Sequence, residues 1–381
     1  MNILHLTHTD IITDSRILKE MQSIASSDQN YSVKGIGVSL DEGSMSTSNI
    51  DNIEINSIIL RSRGWTLLPK LFRHSASLIE LTSKMLFKAI KSKPKIIHCN
   101  DTLVLPLGYL VKLFTGAKLI YDAHELESDR NGISKTLSIL TLFVEKLLWS
   151  KIDALIVVSP SIENWYKTII GDKYSEVILN SPILEKSTKT IDKSYLRKKF
   201  MIAEDKKIFL YIGILGQGRG IDLITDVFKN NNLSSSLVFL GYGELSNELK
   251  SLEKEYSNIY VHDAVSHEKV VSIAQGADIG LCLIQNVSLS DYYCLPNKLF
   301  EYSFAGIPVL ASNFPDITET VQKYKLGETC DLDEKSIYNA IKTLEQRKEV
   351  DKIKVDSLYD LSWKAQEKKL ISLYEKLLDG K

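Results

Sequence analysis

The chain has 381 residues, of which 44% are hydrophobic and 25% are charged, and its formal net charge is -1. This length exceeds one small core and predicts two domains of roughly 150–200 residues each. A near-neutral charge gives no sign of a nucleic-acid partner, which would favour a basic excess. No secretory signal is expected at the amino terminus, and the longest apolar run, near 137–144, falls far short of the ~20 residues of a membrane span. These features predict a cytoplasmic globular protein.

The chain offers no evident metal or disulfide site. Its cysteines lack the close pairs of a zinc site and the density of a disulfide framework, so reduced structural thiols are expected at Cys99, Cys282, Cys294 and Cys330. The acids at 331–333 could suggest a metal site, but Asp333 fits better as the cap of the following helix. No metal or cofactor is therefore expected.

A first strand is predicted at 2–7, and the turn that follows it contains no glycine. A dinucleotide-binding fold needs a glycine-rich turn here, so an NAD-dependent oxidoreductase is not expected. Asp14 or Ser15 can cap the next helix, and Arg16 lies in its first turn, where the helix dipole disfavours a cation. Arg16 should therefore have another partner. Either it is a surface residue paired with Asp14 or Glu20, or it lies near a ligand.

The segment 61–95 has nine Lys or Arg residues against one acid, Glu80, and these alternate with large apolar side chains. A basic amphipathic segment of this kind can lie on an anionic membrane surface. An equally good interpretation is a helix that packs on the core and keeps a solvated basic face.

Polar residues end the strand predicted at 118–125, namely Asp122, His124 and Glu125. Ligands bind at the carboxyl ends of parallel strands in open α/β sheets. A single histidine is more often structural, but one flanked by two acids at a strand end suits proton chemistry. A polar linker near 182–190 marks the expected domain boundary.

In the second half, a strand at 208–213 is followed by a glycine-rich turn that precedes a helix: Gly216, Gln217, Gly218 and Arg219. Glycines let the backbone approach a phosphate, and a helix N-terminus favours an anion. A second glycine turn after the strand at 237–243 contains Gly241 and Gly243, which could leave room for a base or ribose. His262 and His267 are interpreted as structural.

The segment LPNKLFEYSFAGIPVLAS at 295–312 predicts a loop, a helix at 297–304 and then a strand. Free N–H groups at the helix start can hold a phosphate, with Asn297 and Lys298 nearby. Glu301, one turn later, could accept hydrogen bonds from sugar hydroxyls. The alternative is an ordinary αβ unit of a parallel sheet.

This segment resembles the donor-binding segment of family 4 of the retaining glycosyltransferases, which have the GT-B fold and use nucleotide-sugars. The resemblance rests on Asn-Lys-Leu-Phe-Glu-Tyr followed by Ala-Gly-Ile-Pro-Val, and it extends over nearly the whole chain. It implies an α/β fold of two Rossmann-like parallel-sheet domains that face each other across a cleft. The expected parts are an acceptor-binding domain at 1–183, a nucleotide-sugar-binding domain at 184–361, and a C-terminal helix at 362–381 that returns to the first domain.

The resemblance also implies residue roles. Glu301 would bind the ribose and His124 would face the transferred sugar. Arg219 and Lys298 would stabilise charge on the leaving diphosphate. The wider donor site would comprise Gly216, Gln217, Gly218, Arg219, Gly241, Gly243, Tyr293, Leu295, Pro296, Asn297, Lys298, Leu299 and Glu301. The loops near the acceptor would contribute Asp14, Arg16, Asp122 and Glu125.

The chain departs from the family pattern at two positions. Ile214 stands where the family usually has an Arg on the diphosphate, which predicts that Lys298 supplies the second cation. Tyr293 stands where the family often has a second Glu. The groups that contact the hydroxyls of the transferred sugar therefore stay open among Tyr293, Asp291 and the backbone amides of 294–299.

The residues and the resemblance together predict a retaining, metal-independent hexosyltransferase that uses a nucleoside diphosphate-sugar, with a UDP-sugar favoured, and a saccharide acceptor. Segment 61–95 favours a lipid-linked acceptor and peripheral contact with the inner face of a bacterial membrane, as in capsule, O-antigen or exopolysaccharide synthesis. Two alternatives stay open: a nucleotide-sugar 2-epimerase of the GT-B fold, and a nucleotide-sugar-binding protein that has lost turnover. The sequence does not determine the sugar, the base, the acceptor or the oligomeric state.

Overall fold

The structure is a computed structural model that describes residues 1–29, 31–39, 47–50, 52–66, 69–183, 192–347 and 353–379. The chain divides into two compact units. The first unit comprises Met1–Ile178 and Gln366–Lys381, and the second comprises Leu179–Ala365. Most of the linker expected near 182–190 lies outside the described residues.

The first unit contains an eight-stranded sheet. Its strands are β1 (Asn2–Leu6), β2 (Ser32–Val38), β3 (Thr47–Ile50), β4 (Ile53–Ile58), β5 (Ile96–Asn100), β6 (Lys118–Ala123), β7 (Ala154–Val157) and β8 (Ser175–Val177). They lie in the order β3-β4-β2-β1-β5-β6-β7-β8, and all neighbours are parallel except β3 and β4. The strand order therefore reverses between β1 and β5, which is where open α/β sheets bind ligands.

Helices cover this sheet, and every residue of β5 and of β7 is buried, as expected for continuous apolar runs in a covered parallel sheet. The helices are α1 (Ser15–Ala25), α2 (Lys70–Lys91), α3 (Leu105–Thr115), α4 (Lys135–Leu148) and α5 (Pro160–Ile169). Short 3₁₀ helices occur at Arg61–Gly64, Thr102–Val104, Glu127–Asp129 and Trp149–Lys151. Asp14 caps α1 as predicted, since its carboxylate accepts hydrogen bonds from the backbone N–H groups of Arg16 and Ile17.

The second unit contains a six-stranded sheet whose strands are all parallel. They are β9 (Ile208–Ile214), β10 (Ser236–Tyr242), β11 (Ile259–Asp263), β12 (Ile279–Cys282), β13 (Val309–Ser312) and β14 (Gly327–Cys330). Their order is β11-β10-β9-β12-β13-β14, so the reversal lies between β9 and β12. The apolar core is formed between β9, β10 and β12 and the helices on them, with Phe209, Phe228 and Phe239 fully or almost fully buried.

The helices of the second unit are α6 (Tyr195–Phe200), α7 (Ile221–Asn230), α8 (Ser246–Glu255), α9 (His267–Ala274), α10 (Leu289–Tyr292), α11 (Asn297–Ala305), α12 (Pro315–Tyr324) and α13 (Glu334–Gln346). A 3₁₀ helix at Val355–Leu361 precedes the last helix, α14 (Trp363–Asp379), which belongs to the first unit from Gln366 onward. Asp333 caps α13 as predicted. Gly306 ends α11 in a left-handed conformation.

Segment 61–95 shows features of both of its interpretations. Apolar side chains on one side of α2 are buried, namely Leu81, Met85 and Ala89. Others on the same helix are exposed, namely Phe72, Leu78, Ile79 and Phe87. No helix in the described ranges is both long enough and apolar enough to span a membrane.

Candidate functional site

In the second unit, Tyr302 fixes α11 against the sheet. Its hydroxyl donates to the carbonyl oxygen of Leu210 at 2.9 Å and accepts from the backbone N–H of Ile212 at 2.8 Å. Both partners belong to β9, next to the strand reversal. The first turn of α11 is therefore held near the strand reversal, where open α/β sheets generally bind ligands.

Lys298, in that first turn, has a buried ammonium group without a hydrogen-bond partner among the described residues. The residue is 7% exposed. Its Nζ lies 3.8 Å from the ring centroid of Tyr211, a cation–π contact that offsets only part of the cost of desolvation. The helix begins at Asn297, and its N-cap residue, Pro296, makes no side-chain cap hydrogen bond. An anion bound here would satisfy both the ammonium and the helix N-terminus.

The glycine-rich turn after β9 brings a second cation to this edge. Arg219 is half-buried and directly precedes Gly220, the N-cap of α7. Burial raises the pKa of the Cys282 thiol to about 12, against the opposing effects of Lys298 and, more weakly, Arg219. Both cations are thus close enough to act on the end of β12. The backbone N–H of Gln217 donates to the carboxylate of Glu244 at 3.1 Å, so the turn already presents a donor to an anionic group.

Gly241 and Gly243 were expected to leave room for a base or ribose, and the structure gives another reason for these glycines. A Cβ atom on Gly241 would lie 1.8 Å from the carbonyl oxygen of Gly213, and one on Gly243 would lie 2.4 Å from that of Leu215. The space left by their missing side chains is filled by neighbouring backbone. Close approach of two strand ends, and not room for a base or ribose, explains these glycines.

Glu301 lies on α11 one turn after Lys298 and is 5% exposed. Its Oε1 lies 3.6 Å from Nδ1 of His267, whose side chain is 51% exposed. His267, expected to be structural, is the first residue of α9 and lies beside the predicted ribose ligand. Sequence reasoning missed this pairing because the two residues belong to different helices far apart in the chain.

The remaining predicted donor residues differ in environment. Leu295 and Leu299 are buried in apolar packing, whereas Asn297 is exposed at the helix start. Tyr293 is half-buried, with its ring centroid 5.3 Å from that of Tyr292. Asp291 is buried and accepts a hydrogen bond from the hydroxyl of Ser288 at 2.7 Å.

In the first unit, three adjacent strands are followed by titratable side chains that lie together: His8 after β1, Asp101 after β5 and His124 after β6. The two carboxylate oxygens of Asp101 each lie 3.6 Å from an Nδ1 atom, one of His8 and one of His124. This cluster is at the strand reversal of the sheet. Sequence reasoning identified only His124, although each of the three strand ends carries a polar residue that could have been noted.

His124 is a cation at neutral pH. Burial alone would lower its pKa, but Asp101 and then Asp122 raise the pKa of His124 to about 10. Nε2 of His124 lies 3.5 Å from Asp122, and the side chain is 17% exposed. A partly exposed imidazolium can donate a hydrogen bond to a ligand oxygen.

Asp101 has an unusual backbone conformation, with φ 70° and ψ 159°, a region populated almost only by glycine. Strain of this kind persists where surrounding contacts fix the residue. Burial and then Asp101 raise the pKa of Glu127 to about 9, so Glu127 is protonated at neutral pH and shares a hydrogen bond with Asp101. Glu127 is a further member of this cluster that sequence reasoning missed.

Arg16 pairs with Glu20, as one interpretation expected, but it is buried and not a surface residue. The residue is 4% exposed, donates to both carboxylate oxygens of Asp122 at 3.2 and 3.3 Å, and places Nε 3.1 Å from Oε1 of Glu20. Burial alone would raise the pKa of Asp122, but Arg16 and then His124 hold it well below its usual range. Arg16 and Asp122 therefore form a buried ion pair that orients His124, while Glu125 is exposed.

One group among the described residues has the spacing of metal ligands: the ligand atoms of His5, Glu20 and His98 lie within 4.8 Å of one another. Tyr374 of α14 hydrogen bonds to His98 and lies 3.3 Å from His5. Arg16 already supplies positive charge to Glu20. The group is accordingly interpreted as part of the buried hydrogen-bond network.

A groove of 840 Å³ lies elsewhere in the first unit, between the end of β4 and α2. Its walls include Arg61, Lys84, Phe87 and Lys88, and it contains none of the predicted catalytic or donor residues. Glu80 pairs with Lys84 at 2.5 Å. The groove is thus a basic and apolar feature of the α2 surface.

Comparison with known proteins shows which family model and which folds this chain is similar to. Residues 192–354 match the model of the family described as glycosyl transferases group 1. No curated protein sequence gives a significant match. Three solved structures illustrate the likeness of the whole chain.

Sucrose-phosphate synthase from Thermosynechococcus elongatus has a TM-score of 0.78 at 16% identity, covering 100% of both chains. HepE from Anabaena, solved in complex with UDP and glucose, has a TM-score of 0.71 at 14% identity, covering 99% of this chain and 100% of that one. A glycosyltransferase from Rickettsia africae has a TM-score of 0.68 at 12% identity, covering 100% and 99%. At these identities the likeness shows the fold, and it confirms the predicted fold class. The chain therefore has the GT-B fold, and its residues 192–354 are similar to the glycosyl transferases of group 1.

Proposed function

We propose that this protein transfers a sugar, with retention of anomeric configuration, from a UDP-sugar to a saccharide acceptor. The observation that supports the donor class most strongly is the buried ammonium of Lys298 at the N-terminus of α11, which has no hydrogen-bond partner in the described part of the chain. A diphosphate is the group that such a site suits best. HepE was solved with UDP and glucose and with UDP-glucose, which favours uridine as the base.

In this proposal, Lys298, Arg219 and the start of α11 stabilise the charge that develops on the leaving diphosphate. Glu301 accepts hydrogen bonds from the ribose hydroxyls, and His267, 3.6 Å away, restricts its orientation. The family resemblance assigns His124 a place facing the transferred sugar. Because His124 is an imidazolium, it acts as a donor and not as a base, and a leaving phosphate oxygen takes the proton of the acceptor hydroxyl.

The acceptor proposed is a lipid-linked saccharide, reached by peripheral contact with the inner face of a bacterial membrane. The reaction would then be a step in capsule, O-antigen or exopolysaccharide synthesis. Segment 61–95 supports this choice, because exposed Trp65 and Phe87 lie among basic residues.

A second candidate function is nucleotide-sugar binding without turnover. Ile214 and Tyr293 stand where the resembled family has a diphosphate-binding Arg and a second Glu. Ile214 is 54% exposed at the end of β9. Because its side chain is apolar, it cannot make the polar contact that an Arg would make with a diphosphate.

The test begins with thermal unfolding in the presence of UDP-, GDP- and dTDP-sugars, since a ligand that binds the folded state stabilises it. A UDP-sugar should raise the melting temperature of the wild type and have a much smaller effect on Glu301→Gln. If no nucleotide-sugar stabilises the protein, the donor assignment is wrong. Stabilisation without donor hydrolysis or transfer would favour the second candidate, and epimerisation of the donor without an acceptor would identify a 2-epimerase.

A further inference from the structure

Helix α4 has an inverted distribution of polar and apolar side chains. Its single acid, Glu145, is fully buried and accepts hydrogen bonds from the hydroxyls of Tyr121 at 2.7 Å and Tyr166 at 2.6 Å. Its large apolar residues point outward: Leu137, Ile139, Leu140, Phe143 and Leu147 are between 45% and 62% exposed. Ile139, Phe143 and Leu147 follow each other at four-residue spacing and form one stripe.

The neighbouring helices extend this apolar surface. Helix α3 packs against both α2 and α4. On α3, Leu113 and Phe114 are 62% and 68% exposed, and on α2, Ile79 and Phe87 are 69% and 71% exposed. We define the exposed apolar residues of α2, α3 and α4 as the helical face. Exposed apolar surfaces of this extent mark interaction sites in soluble proteins.

The charges on the helical face have one sign. The sequences of α2, α3 and α4 contain two acids, Glu80 and Glu145. Glu145 is buried, and Glu80 accepts from the backbone N–H groups of Arg61 and Ser62 and pairs with Lys84. The exposed charges are cations, including Lys91, Lys135 and Lys146.

This charge pattern decides between two occupants. A second copy of the chain would bring the same basic face against itself, and like charges would oppose association. An anionic lipid bilayer satisfies both features, since apolar side chains enter the headgroup region and cations attract its surface.

We propose that the helical face, centred on α4, is the surface by which this protein lies on an anionic lipid bilayer. The proposal deepens the membrane contact of the proposed function and moves its centre from segment 61–95 to α3 and α4. It rests on the proposed function only for the identity of the acceptor, because vesicle binding needs no donor sugar.

The test is co-sedimentation of the purified chain with phosphatidylcholine vesicles that contain phosphatidylglycerol, compared with vesicles of phosphatidylcholine alone. The wild type should bind the anionic vesicles, and added salt should weaken binding. The double variant Ile139→Glu/Phe143→Glu should lower partitioning about twentyfold or more, since it removes apolar contact and adds two charges repelled by the surface. Circular dichroism should be unchanged, because both residues are exposed.

A matched control is Ile169→Glu/Met201→Glu, which also replaces two exposed apolar residues, 45% and 90% exposed, outside the helical face. It should bind vesicles like the wild type. Equal binding by the Ile139→Glu/Phe143→Glu variant, or no preference of the wild type for anionic vesicles, would overturn the proposal. A wild-type dimer in light scattering that this variant dissociates, without vesicle binding, would instead identify a second copy as the occupant. Thermal stabilisation by UDP is scored separately, so a failed donor assignment cannot be mistaken for a failed membrane contact.

Discussion

Lys298 allows the proposed donor site to be tested through two opposite effects of one substitution. Lys298→Met keeps an unbranched chain of similar length and removes the charge. In the free protein the ammonium is buried and has no hydrogen-bond partner among the residues that the structure describes, so its removal should stabilise the folded state. In the complex the same ammonium would bind the diphosphate, so its removal should weaken binding.

The magnitudes follow from the contacts. An unpaired buried cation costs several kcal/mol, of which the contact with the Tyr211 ring offsets about 2 kcal/mol at most. Lys298→Met should therefore raise the free energy of unfolding of the free protein by about 1–3 kcal/mol. A charge-assisted hydrogen bond to the diphosphate contributes about 2–3 kcal/mol, so the Kd for UDP should rise about thirtyfold to 150-fold.

Urea unfolding of the free protein and calorimetric titration with UDP measure the two effects. Lys323→Met is a matched control, because Nζ of Lys323 lies 5.1 Å from the ring centroid of Tyr324 but the side chain is exposed. The control should change neither quantity appreciably. An unchanged Kd for UDP in Lys298→Met would refute the role of this residue in the donor site. A loss of stability in the free protein would refute the argument that its ammonium is unsatisfied without ligand.

Further predictions concern the other cation and the cluster of the first unit. Arg219→Ala should lower turnover about a hundredfold or more, since one preorganised donor to a developing charge contributes ~3 kcal/mol; a loss below about fivefold in steady-state kinetics would contradict its role. Asp101→Asn should lower the pKa of His124 from about 10 towards its usual range, followed by NMR titration of the imidazole, and an unchanged titration would show that Asp101 is not the dominant partner. The raised pKa of His124 also predicts a pH dependence of stability. Its contribution is complete below the unfolded pKa of about 6.5 and falls by about 1.4 kcal/mol per pH unit as the pH rises towards about 10. The difference in unfolding free energy between wild type and His124→Gln at a series of pH values measures it, and a flat difference would contradict the assignment.

Local sequence signals predicted the elements that carry the proposed donor site. Pro296 and Gly306 bound α11 because one residue lacks a backbone N–H and the other accepts a left-handed conformation. Apolar runs without alternation identified the buried strands, since both faces of a parallel sheet are covered. Lys298 and Glu301 could be placed together because they lie one helical turn apart.

Residues brought together by the sheet were harder to predict. His8, Asp101 and His124 meet because β1, β5 and β6 are neighbours, and strand order is set by tertiary packing, not by local sequence. The pairing of His267 with Glu301 depends likewise on the packing of α9 beside α11. The charge states of His124 and Glu127 were equally hard to predict, because their pKa values depend on burial and on Asp101, which only the folded structure brings close.

The sequence by itself determined the class of fold, the position of most strands and the resemblance to a family, because these depend on local periodicity, turn residues and a long motif around Lys298. Only the tertiary structure decided which side of each element is buried. In α4, apolar residues at helical spacing indicate an amphipathic helix but do not say which side faces the core. Three hydroxyl partners draw Glu145 inward and leave Ile139 and Phe143 outside. The free energy of satisfying a buried carboxylate depends on partners from other elements, and those partners are defined only when the chain has folded.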